Sequence, residues 1–454
     1  MDPTSKSYSG VNTAPAQSTQ QGWNRTTVLA IQWVFPGTVV TQFSRQPHIL
    51  GRDKDCDTQL SGKETSRSHA EIRQDGPFFM ITDLASRNGL FVNGKRVPHA
   101  ALKLGDVVRI GEWLGVTVPF DPEIDTAFRS ITSDWFGSAK LVAAVDPARR
   151  VAHSELPIVI EGETGTGKEG LARAIHDWSG RKGQFVGVNC ATIQPELAEA
   201  ALFGHSKGAF TGADRRAIGY FRAAHGGTLL LDEVTELPMQ VQSKLLRALE
   251  QSEITPVGET EPVKVDVRML AATQERLQWA VDDRRFRADL MARLDGLTVA
   301  LPPLRERRED IAPLLLTFLR AHSGGNQPEV DHRMLEHLMI YDWPMNVREL
   351  SHLARRLLAL YSSEPILKRS FLPPRMLPVG ASAAAPDSQD SKPPRAPTQD
   401  EESFERLIEA LRTNAGNVAR AAAAIGISRS RAYRLLEARP DFEIAGLRNR
   451  GGDS

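Results

Sequence analysis

Cysteine is nearly absent. Cys56 and Cys190 are the two in 454 residues, and they stand far apart. That excludes a disulfide scaffold or a zinc cluster and fits a reducing cytoplasm. An excess of one charge is also missing. Lysine plus arginine number 56 and aspartate plus glutamate number 56, so any contact with nucleic acid has to come from a local patch. No apolar run approaches the length of a membrane span. Tandem repeats are lacking, and so is the apolar core of a signal peptide in the polar stretch 1–26, which reads as a disordered tail.

What is present divides by pattern. The length suits two to four domains. Over 27–119, short β-type runs such as "TVLAIQWVF", "FFMITDL" and "DVVRIG" alternate with glycine- and aspartate-rich turns, which predicts an all-β sandwich. Over 130–372, apolar strands alternate with helical stretches, the order of an α/β domain, with a helical end from about Asp310. A proline- and alanine-rich linker covers 378–400. A small all-α unit, 401–441, follows. The expected fold is therefore multidomain.

The chemistry starts at "GETGTGKE", Gly162 to Glu169, between the apolar strand "PIVIE" and the helical "GLARAIHDW". Glycines Gly162, Gly165 and Gly167 let backbone N–H groups turn inward around phosphates. The helix N-terminus favours negative charge there, and Lys168 adds a cation. Glu163, Thr164 and Thr166 complete the loop. Glu169 stands where a serine or threonine commonly follows the lysine, so Mg²⁺ needs another ligand. "GGTLLLDEV" supplies one: Asp232 for the metal and Glu233 to orient an attacking water. ATP and Mg²⁺ are the expected cofactors.

With "ELAEAALFGHSKGAFTGA", "FRADLMARL", "LPPLRERREDI" and "WPMNVREL" following in order, 130–372 resembles the AAA+ domain of bacterial enhancer-binding proteins, the activators of sigma-54 RNA polymerase. The resemblance implies a homomeric ring, a hexamer, with ATP between subunits and a helical lid. It implies that Arg287 and Arg293 reach a neighbour's ATP, that Asn189 restrains Glu233, and that Thr273 and Arg348 sense the nucleotide. It also makes the "GAFTGA" loop the tool that touches sigma-54, with Gly208 and Gly212 as hinges and Phe210 and Thr211 as contacts. Ala201, Ser206, Gln274 and Met345 depart from the family's usual residues. These departures bear on how hydrolysis is coupled to loop movement.

"LGRDKDCDTQL", "TSRSHAEI" and "DLASRNGLFVNGKRV" resemble a forkhead-associated (FHA) domain, which binds phosphothreonine peptides. By that resemblance Arg52 and Ser66 contact the phosphate, Arg67 and Arg87 flank it, and Asn88 holds the peptide backbone. Arginine forks and hydroxyls suit a doubly charged phosphate. His69 reads as a brace, and Asn93 with Gly94 as a tight turn. A receiver-type set of paired acids and lysine is missing, so the expected input is a Ser/Thr kinase or a phosphothreonine-containing protein.

In "NAGNVARAAAAIGISRSRAYRLLEARP", Asn417 is placed to cap a first helix, Gly426 to turn, and Ser428 to cap a second. Ala432, Leu435 and Leu436 share its inner face. Arg429, Ser430, Arg431, Tyr433 and Arg434 form a basic outer set for a DNA major groove. This resembles a Fis-type helix-turn-helix. The whole predicts a phosphothreonine-regulated, ATP-driven activator of sigma-54 RNA polymerase bound at upstream DNA. Two other readings stand beside it: a phosphopeptide-controlled DNA-binding repressor, and an AAA+ remodeller of another target.

Overall fold

The computed structural model describes residues 28–76, 78–121, 127–133, 135–325, 328–377, 399–413 and 418–437. The expected tail, nearly all of the expected linker and Asn417 lie outside them. The chain separates into two units, 1–126 and 127–454.

The first unit is a sandwich of strands β1 (Val28–Phe35), β2 (Val39–Gln42), β3 (His48–Gly51), β4 (Thr58–Gln59), β5 (Ala70–Asp75), β6 (Phe78–Asp83), β7 (Leu90–Val92), β8 (Lys95–Val97), β9 (His99–Leu102), β10 (Val107–Ile110) and β11 (Trp113–Phe120). One sheet runs β2-β1-β11-β10-β7-β8 and the other β4-β3-β5-β6-β9. The two-residue period is visible in β5, where Ala70 and Ile72 are buried while Arg73 is exposed. Trp33, Leu50, Ile72, Ile81, Leu90 and Ile110 fill the space between the sheets. Each such side chain contributes roughly 1.5–3 kcal/mol on burial. Between β7 and β8, Asn93 (φ +50°) and Gly94 (φ +74°) make the expected turn. Asn93 also accepts from Val107 N at 2.9 Å, which ties the hairpin to β10.

The second unit begins with a short strand pair, β12 (Arg129–Ser130) and β13 (Phe136–Gly137), then α1 (Ala139–Arg150). Its core is a parallel sheet of β14 (Ile158–Glu161), β15 (Phe185–Asn189), β16 (Thr228–Asp232), β19 (Arg268–Thr273) and β20 (Leu297–Ala300), in the order β15-β16-β19-β14-β20. A small hairpin, β17 (Glu253–Ile254) with β18 (Val263–Lys264), precedes β19. The inner strands β14, β16 and β19 are buried on both faces, as a parallel sheet flanked by helices requires. Leu229, Leu231, Met269 and Ala271 point into one core. Leu230, Leu270, Ala272 and Ile160 point into the other. Helices α2 (Lys168–Ser179), α3 (Ala198–Phe203), α4 (Gly219–Ala223), α5 (Met239–Gln251), α6 (Leu277–Asp282) and α7 (Ala288–Leu294) clothe the sheet. A helical lid follows: α8 (Ile311–His322), α9 (His332–Ile340) and α10 (Asn346–Tyr361).

The last three helices are α11 (Gln399–Thr413), α12 (Val418–Ala424) and α13 (Arg429–Glu437). The first of them starts at Gln399, so helix replaces the final two residues assigned to the linker. Leu407, Leu411, Ala421, Ala422, Ala432 and Leu436 form a core of their own. Among the described residues no helix is long and apolar enough to cross a membrane.

Candidate functional site

The carboxyl edge of the parallel sheet carries the phosphate loop and its acids, where open α/β sheets place ligands. Gly165 (φ +80°) and Gly167 (φ +110°) occupy backbone space that side chains rarely enter. A Cβ on Gly165 would also stand 2.2 Å from the Met345 carbonyl oxygen, so the lid can close on the loop only over a glycine. Lys168 opens α2 and is 6% exposed. Its Nζ donates to Gly162 O at 2.8 Å and lies 3.6 Å from Glu233 Oε1. This buried ammonium, the glycine cradle and the helix N-terminus fit a triphosphate.

Asp232 ends β16 and pairs in register with Asn189 at the end of β15. Burial pushes the Asp232 carboxyl above its usual range, and the Lys168 charge pulls it back. Two adjacent carboxylates with phosphate oxygens and water suit Mg²⁺, which takes one or two carboxylates and keeps much of its own water. Among the described residues no cluster of three or more His, Cys, Asp or Glu is built to hold a metal. Cys190 lies buried close by. Burial first, then the Asp232 and Glu233 charges, push its thiol up to about 12. It stays protonated and inert.

In this structure Glu233 takes a side-chain hydrogen bond from Gln274. The Asn189 carboxamide oxygen accepts from Ala191 N at 3.0 Å and caps a short 3₁₀ turn. Gln274, on the loop after β19, donates its Nε2 to Glu233 Oε1 at 2.8 Å. A side chain one methylene longer than the family's usual asparagine reaches across β19 to β16. Thr273 is fully buried, and its hydroxyl is engaged locally with Glu275 O at 2.8 Å. Glu169 turns outward to Arg173 at 2.8 Å, so its side chain leaves the nucleotide side of the loop.

The lid is fastened to the loop by groups that the motifs contained without disclosing their role. Arg305 grips Glu163 with two bonds, 2.8 and 2.7 Å. That grip holds the Glu163 carboxyl below its ordinary range. Asn346 donates to Glu163 Oε2 at 3.2 Å and to Thr164 O at 3.0 Å. Arg307, 1% exposed, donates to Thr166 O at 3.0 Å. Arg348 stands in the first turn of α10, its Cβ 3.0 Å from where a Gly165 Cβ would be. Arg287 and Arg293 bracket α7. Arg287 pairs with Asp289 at 2.7 Å and donates to Ser243, and Arg293 donates to Leu249 O. None of these partners belongs to the phosphate loop.

The loop with Phe210 leaves α3 through Gly204 and returns to α4 at Gly219. Gly208 (φ +80°) and Gly212 (φ +96°) bound its tip, and Gly208 N donates to Ala213 O at 2.8 Å. The Phe210 ring rests on His205 at 5.0 Å, while Thr211 is exposed. The base is bridged twice, His205 to Ala217 and His205 to Val257. Arg216 and Glu259 add an ion pair at 3.1 Å between the same two segments.

In the sandwich, Arg52, Ser66, Arg67, Arg87 and Asn88 all line one cavity of about 790 Å³, with Lys63, Glu64 and Asp53. They come from three loops at one end. His69 is fully buried and braces them. Its Nδ1 accepts from Ser66 N at 3.0 Å, so its Nε2 carries the proton donated to Gly89 O at 3.2 Å. Burial holds this imidazole below its ordinary pKa, which keeps it neutral. Asn88 Nδ2 donates to Glu64 O at 2.7 Å, and Ser66 Oγ accepts from Arg87 N at 3.1 Å. At the other end of the chain, Gly426 (φ +74°) makes its turn, and Ser428 Oγ accepts from Arg431 N at 3.2 Å. Arg434 is exposed. The side chains of Arg429, Ser430 and Tyr433 lie outside the described residues.

Residues 136–300 match the sigma-54 interaction domain, 48–111 the FHA domain and 305–389 the AAA+ ATPase lid domain. Over 220 residues the chain is 48% identical to the DNA-binding transcriptional regulator NtrC of Azospirillum brasilense, covering 48% of this chain and 46% of that protein. It is 41% identical over 294 residues to the regulatory protein AtoC of Escherichia coli (strain K12), covering 63% of this chain and 64% of AtoC. Among solved structures, NtrX from Brucella abortus in complex with ATP is 33% identical, with a TM-score of 0.49, over 68% of this chain and 70% of that one. The match thus spans less than half the length of the NtrC protein.

Proposed function

From a chain that carries a sigma-54 interaction domain, its AAA+ lid and an FHA domain, we propose an ATP-driven activator of sigma-54 RNA polymerase that takes its input from a phosphothreonine. The observation that carries the reading is the meeting of Lys168, Asp232 and Glu233 at the carboxyl edge of a sheet whose domain also bears the Gly208–Ala213 loop. The loop N–H groups and Lys168 hold the β- and γ-phosphates. Asp232 would hold Mg²⁺, which would supply positive charge beside the phosphates. Glu233, held by Gln274, orients the water. Arg287 and Arg293 act on the ATP of the next subunit in a homomeric ring, a hexamer, because guanidinium groups best offset charge on the γ-phosphoryl.

The sandwich cavity takes a phosphothreonine peptide from a kinase or phosphoprotein, with Arg52 and Ser66 on the phosphate. Helix α13 binds upstream DNA in the cytoplasm. Arg431→Ala or Arg434→Ala therefore weakens DNA binding and lowers its salt dependence. The deciding experiment measures ATP hydrolysis and open-complex formation at a sigma-54 promoter, with and without a phosphothreonine peptide. ATP-dependent open complexes that respond to the peptide support the proposal. A chain that binds DNA and never hydrolyses ATP is a repressor. One that hydrolyses ATP without opening the promoter remodels another target.

A further inference from the structure

The turn between β10 and β11 does not line the sandwich cavity, but it is fastened to a loop that does. The loop between β4 and β5 brings Lys63, Glu64, Thr65 and Ser66 to the cavity wall. Glu112, in the turn, stands behind it. Its Oε1 accepts from Lys63 N at 2.8 Å, and its Oε2 accepts from Glu64 N at 3.1 Å and from Thr65 Oγ1 at 3.4 Å. One residue further on, Trp113 Nε1 donates to Ser61 O at 2.9 Å. Asn88 holds the same loop through Glu64 O at 2.7 Å. The contact is close enough to require glycine on both sides. A Cβ at Gly62 would stand 2.0 Å from Glu112 Oε1, and one at Gly111 (φ +57°) would stand 2.7 Å from the Glu64 carbonyl carbon.

An acid near a phosphate cavity acts in two opposite senses. Its charge repels a phosphate dianion. Its hydrogen bonds fix consecutive residues of a loop, which lowers the ordering cost of binding. Successive backbone N–H groups form a cradle that attracts anions, and here the cradle of Lys63 and Glu64 is filled by a carboxylate of the chain itself. The Glu112 charge is matched locally, so the ordering effect dominates. We propose that Glu112 is a positioning residue of the phosphothreonine cavity, its carboxylate setting the 63–66 loop in the shape that receives phosphate before a peptide arrives. The inference rests on the reading of that cavity as a phosphothreonine site.

The sign of one substitution separates the two senses. Calorimetry on the full chain uses two probes, a degenerate peptide mixture with one fixed central phosphothreonine and the same mixture with plain threonine. Glu112→Ala is expected to weaken phosphopeptide binding about tenfold, the effect of one hydrogen bond to a charged group. Unchanged or tighter binding overturns the proposal, because the carboxylate would then be a bystander or only a repelling charge. Gly62→Ala should reproduce the loss by displacing the carboxylate, and should add nothing in the Glu112→Ala background. Additive losses overturn the proposal. If Glu112→Ala does not fold, hydrogen exchange of the native full chain decides. The Lys63 and Glu64 amides should be protected without peptide and little changed by it. Amides that become protected only when the phosphopeptide is added overturn the proposal, because the ligand would then order the loop. A native chain that does not distinguish the two probes removes the phosphothreonine reading itself, and the proposal with it.

Discussion

In the proposed function two regions of this chain handle phosphate, and they are built in opposite ways. The sandwich cavity gathers side chains, Arg52, Arg67, Arg87 and Ser66, from loops far apart in sequence. The loop of the ATPase domain is one contiguous stretch that uses backbone N–H groups, a helix N-terminus and a single lysine. The first has only Asp53 and Glu64 as acids, and the Glu64 backbone oxygen is occupied by Asn88. The second sets Asp232 and Glu233 beside its lysine. A site that recognises phosphate needs positive charge and shape. A site that transfers phosphoryl also needs carboxylates for metal and water, and here Lys168 offsets part of their repulsion.

The comparison breaks most visibly at Glu233. Glu233→Ala is expected to lower ATP turnover by about 10²–10⁴-fold, the range for a lost general base, with ATP binding retained. Turnover at the native rate would show that the carboxylate is not what separates the two sites. Next comes Arg52→Ala, which removes a charge-assisted bond worth roughly 1.5–3 kcal/mol. Phosphothreonine-peptide affinity should fall about 10- to 100-fold by calorimetry while ATPase activity is kept. Equal affinity of the native chain for phosphorylated and plain peptides would mean that the cavity is a contact surface and not a phosphate site.

A smaller effect sharpens the comparison inside the ATPase. Gln274→Ala should lower kcat about tenfold, from one hydrogen bond to a charged group, with KM for ATP little changed. Asn189→Ala should instead act through the cap on Ala191. If Asn189→Ala lowers kcat more than Gln274→Ala, the bond from Gln274 is not the one that positions Glu233.

The smallest effect is on pH. His69 is neutral in the fold, and its pKa lies below the model-compound 6.5. A depressed imidazole pKa means that the unfolded chain binds the proton first. The stability from His69 is therefore full above 6.5 and is lost as pH falls through the folded value. Protonation at Nδ1 also removes the acceptor for Ser66 N. Peptide affinity and thermal stability should both decline on acidification, and the decline should be shallower in His69→Gln. Protonation of the peptide phosphate affects both chains alike. Identical slopes would exclude His69 from the response.

Legibility in the sequence follows locality. The phosphate loop, the Asn93-Gly94 turn and the strand run ending in Asp232 are short-range patterns, and they stand where their spacing puts them. The five cavity residues of the sandwich were reachable through loop motifs. Gln274 was not, because nothing local shows that the loop after β19 carries its side chain to the end of β16. The Asn189 amide oxygen accepts from Ala191 N, and Glu233 takes its bond from Gln274. The grip of Arg305 and Asn346 on Glu163 joins residues 142 and 183 positions apart. "LPPLRERREDI" and "WPMNVREL" displayed both residues without the fold that brings them together.

The double bridge at the base of the Phe210 loop has a mechanical meaning. His205 and Ala217 exchange two backbone bonds of 3.0 Å, Ser206 N donates to Val257 O at 3.0 Å, and Val257 N donates to Gly204 O at 2.9 Å. These four bonds bind both legs of the loop and the segment between β17 and β18 into one stalk, above which Gly208 and Gly212 bound the tip. Any force applied at Phe210 therefore meets a base held by backbone bonds from three chain segments, and the β17–β18 hairpin is the segment outside the loop that shares them.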